Sequence, residues 1–179
     1  MIFHLRVFLS GLALLLIFTQ CAPPERSLRR MALKWELNPD GARLHEVSIE
    51  INATPEKIYK VITEPNEWPK WHPQVSRARS NDRVRGGSSF IWEHGKKHHS
   101  DVIQDEKPFR IIWFSRALTH LSLTRWTIEP TGKNSSKVSL GESRDGFFLY
   151  LSLSPEEHQK ELQDWLTYLK KEVEKETKE

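Results

Sequence analysis

The chain has 179 residues, with 27 Lys and Arg against 24 Asp and Glu for a formal net charge of +3, enough for one ordinary domain plus an appendage but not for two full domains. Seven Trp, eight Phe and three Tyr supply large apolar side chains for a packed core, which excludes disorder away from the ends. Arg77, Arg79, Arg83 and Arg85 cluster without an aromatic stacking motif or zinc spacing, so they read as one solvated face of a sheet, and no nucleic-acid partner is expected.

The N-terminus reads as a targeting segment. His4 and Arg6 precede an apolar run over 7–18, within the roughly 7–15 residues of a signal-peptide core and short of the about 20 that a spanning helix needs. Cys21, the single cysteine, follows Phe18-Thr19-Gln20 in a placement that resembles a bacterial lipoprotein signal, although Gln20 stands where that pattern wants a small residue. Three fates are open: lipidation at Cys21, plain cleavage after it, or an uncleaved anchor over 2–22. Residues 1–20 are therefore read as signal or anchor, and the expected location is the cell envelope, tethered through the N-terminus or secreted. With one cysteine there is no internal disulfide. Residues 21–42, with Pro23-Pro24 and Asn38-Pro39-Asp40-Gly41, read as a tether; Leu33, Trp35 and Leu37 alternate, so 31–37 is an extra edge strand or a segment laid over the domain.

The domain proper is expected over 43–175, with a frayed tail at 176–179. A strand over 43–51 places Val47, Ile49 and Ile51 on one face, with Leu44 out of phase. Thr54 then offers an N-cap, Pro55 fills the first helical position, and Ile58, Val61 and Ile62 follow at helical spacing. Pro65, Pro69 and Pro73 forbid a long second helix but allow one turn, which puts Trp68 and Trp71 on the same side. Beyond Val75 the period becomes two, with strands over 76–85, 88–93, 99–105, 110–115, 122–129 and 137–143 separated by Gly-, Lys- and Pro-containing turns, an antiparallel meander. Ser154, Pro155 and Glu157 form a capping box, and Leu162, Trp165, Leu166, Leu169 and Val173 repeat at helical spacing to about residue 174. The fold class is α+β: a curved sheet of about seven strands wrapped on a long C-terminal helix with two short helices after the first strand, leaving an apolar space between sheet and helix.

In Ile49 to Tyr59, Trp68-Pro69-Lys70-Trp71-His72-Pro73, Trp126 to Gly132 and the capped C-terminal helix, the chain resembles the START-like (SRPBCC, Bet v 1-type helix-grip) superfamily and within it the polyketide cyclase/dehydrase-like group. That resemblance implies a hydrophobic small molecule or lipid held between sheet and helix, with cyclisation in some members only; it carries no catalytic signature.

The ligand-lining candidates are Trp68, Trp71, Trp92, Trp113, Leu162, Trp165, Leu166 and Leu169, each equally readable as core, with Trp126 as a further candidate. His72, Glu93, Arg125 and Glu142 are the polar groups proposed to reach inward, and His72, Glu93 and Arg125 the candidates for proton transfer or substrate contact, although His72 also reads as a surface-turn residue and Arg125 cannot share a face with Trp126. His94, His98 and His99 invite a metal, but Lys96 and Lys97 lie between them and no carboxylate completes the set, so neither metal nor cofactor is expected. The expected role is a monomeric, noncatalytic carrier; the alternatives are a cyclase/dehydrase-like enzyme and a protein-docking module with an exposed Trp68–Pro73 corner.

Overall fold

Alternation of apolar and polar residues from β1 (Arg43–Ile51) onward builds one antiparallel sheet. The computed structural model describes residues 25–146 and 149–175. The other strands are β2 (Arg77–Arg79), β3 (Ser89–His94), β4 (Lys96–Glu106), β5 (Arg110–Arg116), β6 (Leu121–Gly132) and β7 (Ser135–Asp145), in the order β1-β7-β6-β5-β4-β3-β2. Ile49 pairs with Val138 and Trp126 with Leu140, which stacks their side chains on the concave face. The strand expected over 76–85 keeps only Arg77–Arg79, because the chain turns away: the Val84 N–H donates to the Thr63 carbonyl at 2.8 Å.

Helix α1 (Glu25–Ala32) precedes the sheet; α2 (Pro55–Ile62) and α3 (Trp68–Trp71) follow β1, separated by a 3-10 turn at Pro65–Glu67. α4 (Leu149–Ser152) leads into α5 (Pro155–Lys175), the long helix the sheet wraps. Its capping box forms as expected: the Glu157 N–H donates to Ser154 Oγ at 3.1 Å and the Ser154 N–H to the Glu157 carboxylate at 2.8 Å. Thr54 precedes α2 without a side-chain cap; its carbonyl alone accepts from the Ile58 N–H.

Two cores result. On the concave side Leu162, Trp165, Leu166, Leu169 and Val173 of α5 pack with Ile58, Tyr59 and Ile62 of α2 against Trp92, Trp113, Trp126 and Leu140. On the convex side Leu28 and Ala32 of α1 cover Ile112, Phe114 and Leu123. β5 is consequently buried on both faces, Ile111 and Trp113 inward and Ile112 and Phe114 outward, which is why it reads as an unbroken apolar run.

The described part of the segment read as a tether thus lies over the domain, and no edge strand forms there. Arg29 pairs with Asp101 and Glu25. Gln104 donates to the Ala32 carbonyl at 3.1 Å, and Arg125 donates to the Trp35 carbonyl at 2.7 Å. Trp35 closes the helix with φ 64°, a left-handed conformation that costs a bulky residue of order 1 kcal/mol; its ring lies beneath the Arg110 guanidinium at 4.2 Å, an offsetting contact that glycine could not make. Among the described residues no helix is long and apolar enough to cross a membrane. The signal or anchor over 1–20, Cys21 and the tail 176–179 lie outside the described residues.

Candidate functional site

Five indoles meet where the sheet faces α5. Trp68 sits edge-on to Phe90, Trp92 and Trp165 at 5.2 to 5.8 Å, and Trp113 and Trp126 complete the group. They occupy most of the space expected for a ligand: a volume of about 20 Å³ remains, bounded also by Thr124, Leu140, Glu142, Arg144 and Leu162, and it holds roughly one water. The Trp113 and Trp126 N–H groups have no hydrogen-bond partner among the described residues, whereas Trp92 donates to Ser100 Oγ at 3.0 Å and Trp68 to the Ile62 carbonyl at 3.2 Å.

At one end of this cluster the packing turns polar. Glu142, on the concave face of β7, accepts from Arg144 Nε at 2.7 Å, from His158 Nε2 at 2.9 Å and from the Thr124 hydroxyl at 3.1 Å. His158 Nδ1 lies 2.9 Å from His45 Nδ1, and Arg144 also pairs with Glu161 at 2.7 Å. If neutral His158 donates to Glu142, its Nδ1 is an acceptor and His45 carries the proton on Nδ1. Burial works to raise the Glu142 pKa, but Arg144 and then the His158 hydrogen bond more than offset it, holding the carboxylate well below its usual range.

Arg144 is a shared wall between the indole space and a chamber of about 220 Å³ at the sheet's end, formed by the β3–β4 turn (His94, Gly95, Lys96), His98, His120, Leu149, Ser152, Leu153 and Glu161. Gly95, at φ +66°, makes the one-residue turn. His98 stacks on Trp92 with centroids 4.3 Å apart and lies 5.5 Å from the His120 ring. Burial, followed by the field of His120, pushes His98 down to about 3; burial, followed by Arg144, pushes His120 down to about 4. Both are neutral at pH 7.

The sequence candidates separate on this geometry. Trp68, Trp92, Trp113, Leu162 and Trp165 border the indole space; Leu166 and Leu169 are buried in the core beside it. Trp71 is buried against His72 and Trp165 at the middle of α5, so the Trp68–Pro73 corner offers no exposed tryptophan, against the docking-module expectation. His72 is fully buried, not the surface-turn residue expected: its ring packs 4.0 Å from that of Trp165, neither nitrogen has a partner among the described residues, and burial, then His94, pushes its pKa down to about 4. Glu93 and Arg125 face away from the indoles. Glu93 borders a surface hollow with Arg77, Arg79 and Lys97, and Arg125 pairs with Glu46 at 2.9 Å on the convex side; strand parity excludes both from the interior once Trp92 and Trp126 point in. Glu142 does reach inward. His99 is exposed on the opposite face from His98, and among the described residues no group of three His, Cys, Asp or Glu could hold a metal. Sequence reasoning missed His45, His120, Arg144, His158 and Glu161, which come together from β1, the β5–β6 loop, β7 and α5, far apart in the chain; only the i, i+3 spacing of His158 and Glu161 on α5 hinted at a shared polar end.

A curved sheet gripping one long helix, with two short helices behind β1, defines a helix-grip domain of the hydrophobic-ligand-binding class. The family described as "Polyketide cyclase / dehydrase and lipid transport" matches over residues 44–174, and the chain belongs to it. Among solved structures the chain is similar to a START superfamily protein from Mycobacterium smegmatis (TM-score 0.64, 14% identity, 74% of this chain and 97% of that one). It is similar also to a hypothetical protein from Helicobacter pylori (TM-score 0.63, 16% identity, 73% and 86%). A third similar structure is a di-domain ARO/CYC protein of the BE-7585A biosynthetic pathway (TM-score 0.60, 19% identity, 74% of this chain and 46% of that one). These likenesses show the fold. No curated protein matches the sequence.

Proposed function

We propose that the protein is an exported, envelope-tethered binding protein for a hydrophobic small molecule or lipid, with the ligand's apolar part against the indoles and its polar end in the chamber. The observation that carries this is the position of Arg144, which borders both a space walled by five indoles and a 220 Å³ chamber lined by polar groups including His94, His98 and His120. Typical small-molecule sites run about 300–1,000 Å³, so the space supports a small ligand, or the end of a longer one whose chain displaces indoles. Export and tethering draw support from the apolar run over 7–18 and Cys21 alone.

Two measurements test this. Native mass spectrometry and solvent extraction of protein purified from its own host are expected to release a bound apolar molecule, and naphthalene is expected to bind saturably; an empty protein with no saturable uptake would end the proposal. Metabolic labelling with palmitate is expected to mark the full chain and not Cys21→Ser, and an unlabelled parent protein would remove the lipid tether.

The cyclase/dehydrase-like reading keeps one specific support: Glu142, His158 and His45 form a hydrogen-bonded line from the half-buried outer edge of β1 to the indole space, an arrangement able to hold or move a proton. With a linear poly-β-carbonyl thioester, turnover by the parent protein and its loss in Glu142→Gln at unchanged fold are expected under this reading. Equal turnover by both proteins would exclude Glu142.

A further inference from the structure

We infer that the outer face of α1, with the basic part of the sheet beside it, is the surface by which the domain lies on an anionic lipid bilayer. It rests on the envelope tether proposed above and names the side of the domain that the tether turns to the membrane.

Residues 26–34 carry Arg26, Arg29, Arg30 and Lys34 and no acid. Leu28 and Ala32 face the sheet, and Arg29 is turned to Asp101 and Glu25. Arg26, Arg30 and Leu33, spaced by four and three residues, stand on the opposite side with Lys34 beside them. All four are exposed, Leu33 to 60%, and the three cations have no ion pair among the described residues.

The basic surface continues onto the sheet. Arg79, Ile91, His99 and Arg116 pair in turn across β2, β3, β4 and β5, which puts their side chains on one face. Arg116 lies over the Phe114 ring and reaches Glu25 at 3.4 Å, so this is the convex face and the row abuts the first turn of α1. The row walls an open groove of about 670 Å³. Arg77, Arg79 and Lys97, which border the adjoining hollow with Glu93, have no ion pair among the described residues. Asp101, the acid in the groove, is already paired with Arg29. Glu46, Glu50 and Glu129 share the convex face but lie on β1 and β6, beyond α1 from this row.

The position of the tether decides for a bilayer over another polyanion. Glu25 is four residues past Cys21, a reach of about 14 Å at full extension. An anchor at or before Cys21 therefore holds the first turn of α1 close to the headgroups, with α1 on the convex side of the sheet and α5 on the concave side. At the Debye length of about 8 Å in physiological salt, cations so held feel the charge of the surface. Each basic residue near an anionic surface strengthens binding about fivefold. A protein partner is disfavoured, since Leu33 and Ile91 are the large apolar side chains exposed here and do not make the apolar centre of an interface.

Vesicle sedimentation tests this with the full chain carrying Cys21→Ser, so that no acyl chain contributes. Binding to phosphatidylcholine containing one-quarter phosphatidylglycerol is expected to exceed binding to phosphatidylcholine alone by at least about tenfold, and the excess to vanish in 0.5 M salt. Arg26→Gln with Arg30→Gln and Lys34→Gln is expected to remove most of that excess. Lys60→Gln with Lys133→Gln and Lys171→Gln, an equal charge change at exposed sites elsewhere, is expected to keep it. Unchanged urea midpoints show that both triple variants are folded. No excess on anionic vesicles, or equal loss in the two variants, overturns the inference; palmitate labelling of the parent chain decides the tether separately, so a labelled chain without the excess keeps the tether and loses the face. Binding to duplex DNA that the α1 variant loses, with no binding to vesicles, assigns the face to nucleic acid and also overturns it.

Discussion

Glu142 is an ionised carboxylate 5% exposed inside a domain of modest size, and it stays ionised because three donors converge on its two oxygens. Removing one side of such a buried pair costs about 3–5 kcal/mol, since Arg144 would be left facing apolar neighbours with only Glu161. Glu142→Leu is therefore expected to lower unfolding free energy by about 3–5 kcal/mol, while the double change Glu142→Leu with Arg144→Met recovers part of that loss; urea titration of the two variants decides it. His72, His98 and His120 lose stability in the same direction, as pH falls, because protonation is resisted in the folded state. Their folded pKa values of about 4, 3 and 4 lie below the usual 6.5, so the unfolded chain binds more protons as pH falls through 6.5. Their neutral forms add no pH dependence above that pH, and stability is lost progressively between about 6.5 and 3. Glu142, depressed in the folded state, adds a second loss starting below about 4.5. Urea midpoints are expected to be flat above pH 7 and to fall in that order, with His72→Leu flattening the first limb. Parity along the strands made the directions of Trp92, Trp126, Glu93 and Arg125 readable in pairs from the chain, but nothing in Trp71-His72-Pro73 tells that the histidine turns inward. Its burial follows from where Trp165 lies, a contact between residues far apart in sequence.

At the level of elements, α1 is the piece whose role the chain concealed. The alternation of Leu33, Trp35 and Leu37 suggested an edge strand or a segment laid over the domain, whereas Leu28, Met31, Ala32 and Trp35 stand at helical 3, 4 and 7 spacing, a stripe that sequence reasoning passed over. What settles it is the convex side of β5 and β6, whose Ile112, Phe114 and Leu123 need a cover. Leu28 is fully buried there, and Leu28→Ala is expected to cost about 2–5 kcal/mol by chemical denaturation, a value an appended tether could not show. The C-terminal helix was legible because its signals are local: a Ser-Pro-x-Glu start and a regular apolar stripe. Ser154→Ala is expected to cost about 1 kcal/mol, and a change below a few tenths in thermal and urea unfolding would mean that the box does not hold the helix start.

The whole molecule places its aromatic mass where related architectures suggest room. Composition announced seven tryptophans, and the hydrophobic-ligand-binding fold was recognisable from the order of elements, yet neither gives the free volume, which depends on the rotamers of five indoles packed together. Trp165 touches Trp68, Trp71, Trp92 and Trp126 from the helix side. Trp165→Ala is expected to cost about 3–5 kcal/mol and to open the 20 Å³ space by the volume of an indole, so naphthalene should bind this variant more tightly than the parent in calorimetry. Weaker binding would mean that Trp165 is itself the ligand's contact surface.

The double burial of β5 gives the sequence an address system. Odd positions 111 and 113 report to the indole side and even positions 112 and 114 to α1, so neighbouring codons govern separate properties. A redesigner can tune robustness through the even positions while leaving recognition intact, and can alter recognition through the odd ones without loosening the N-terminal cover.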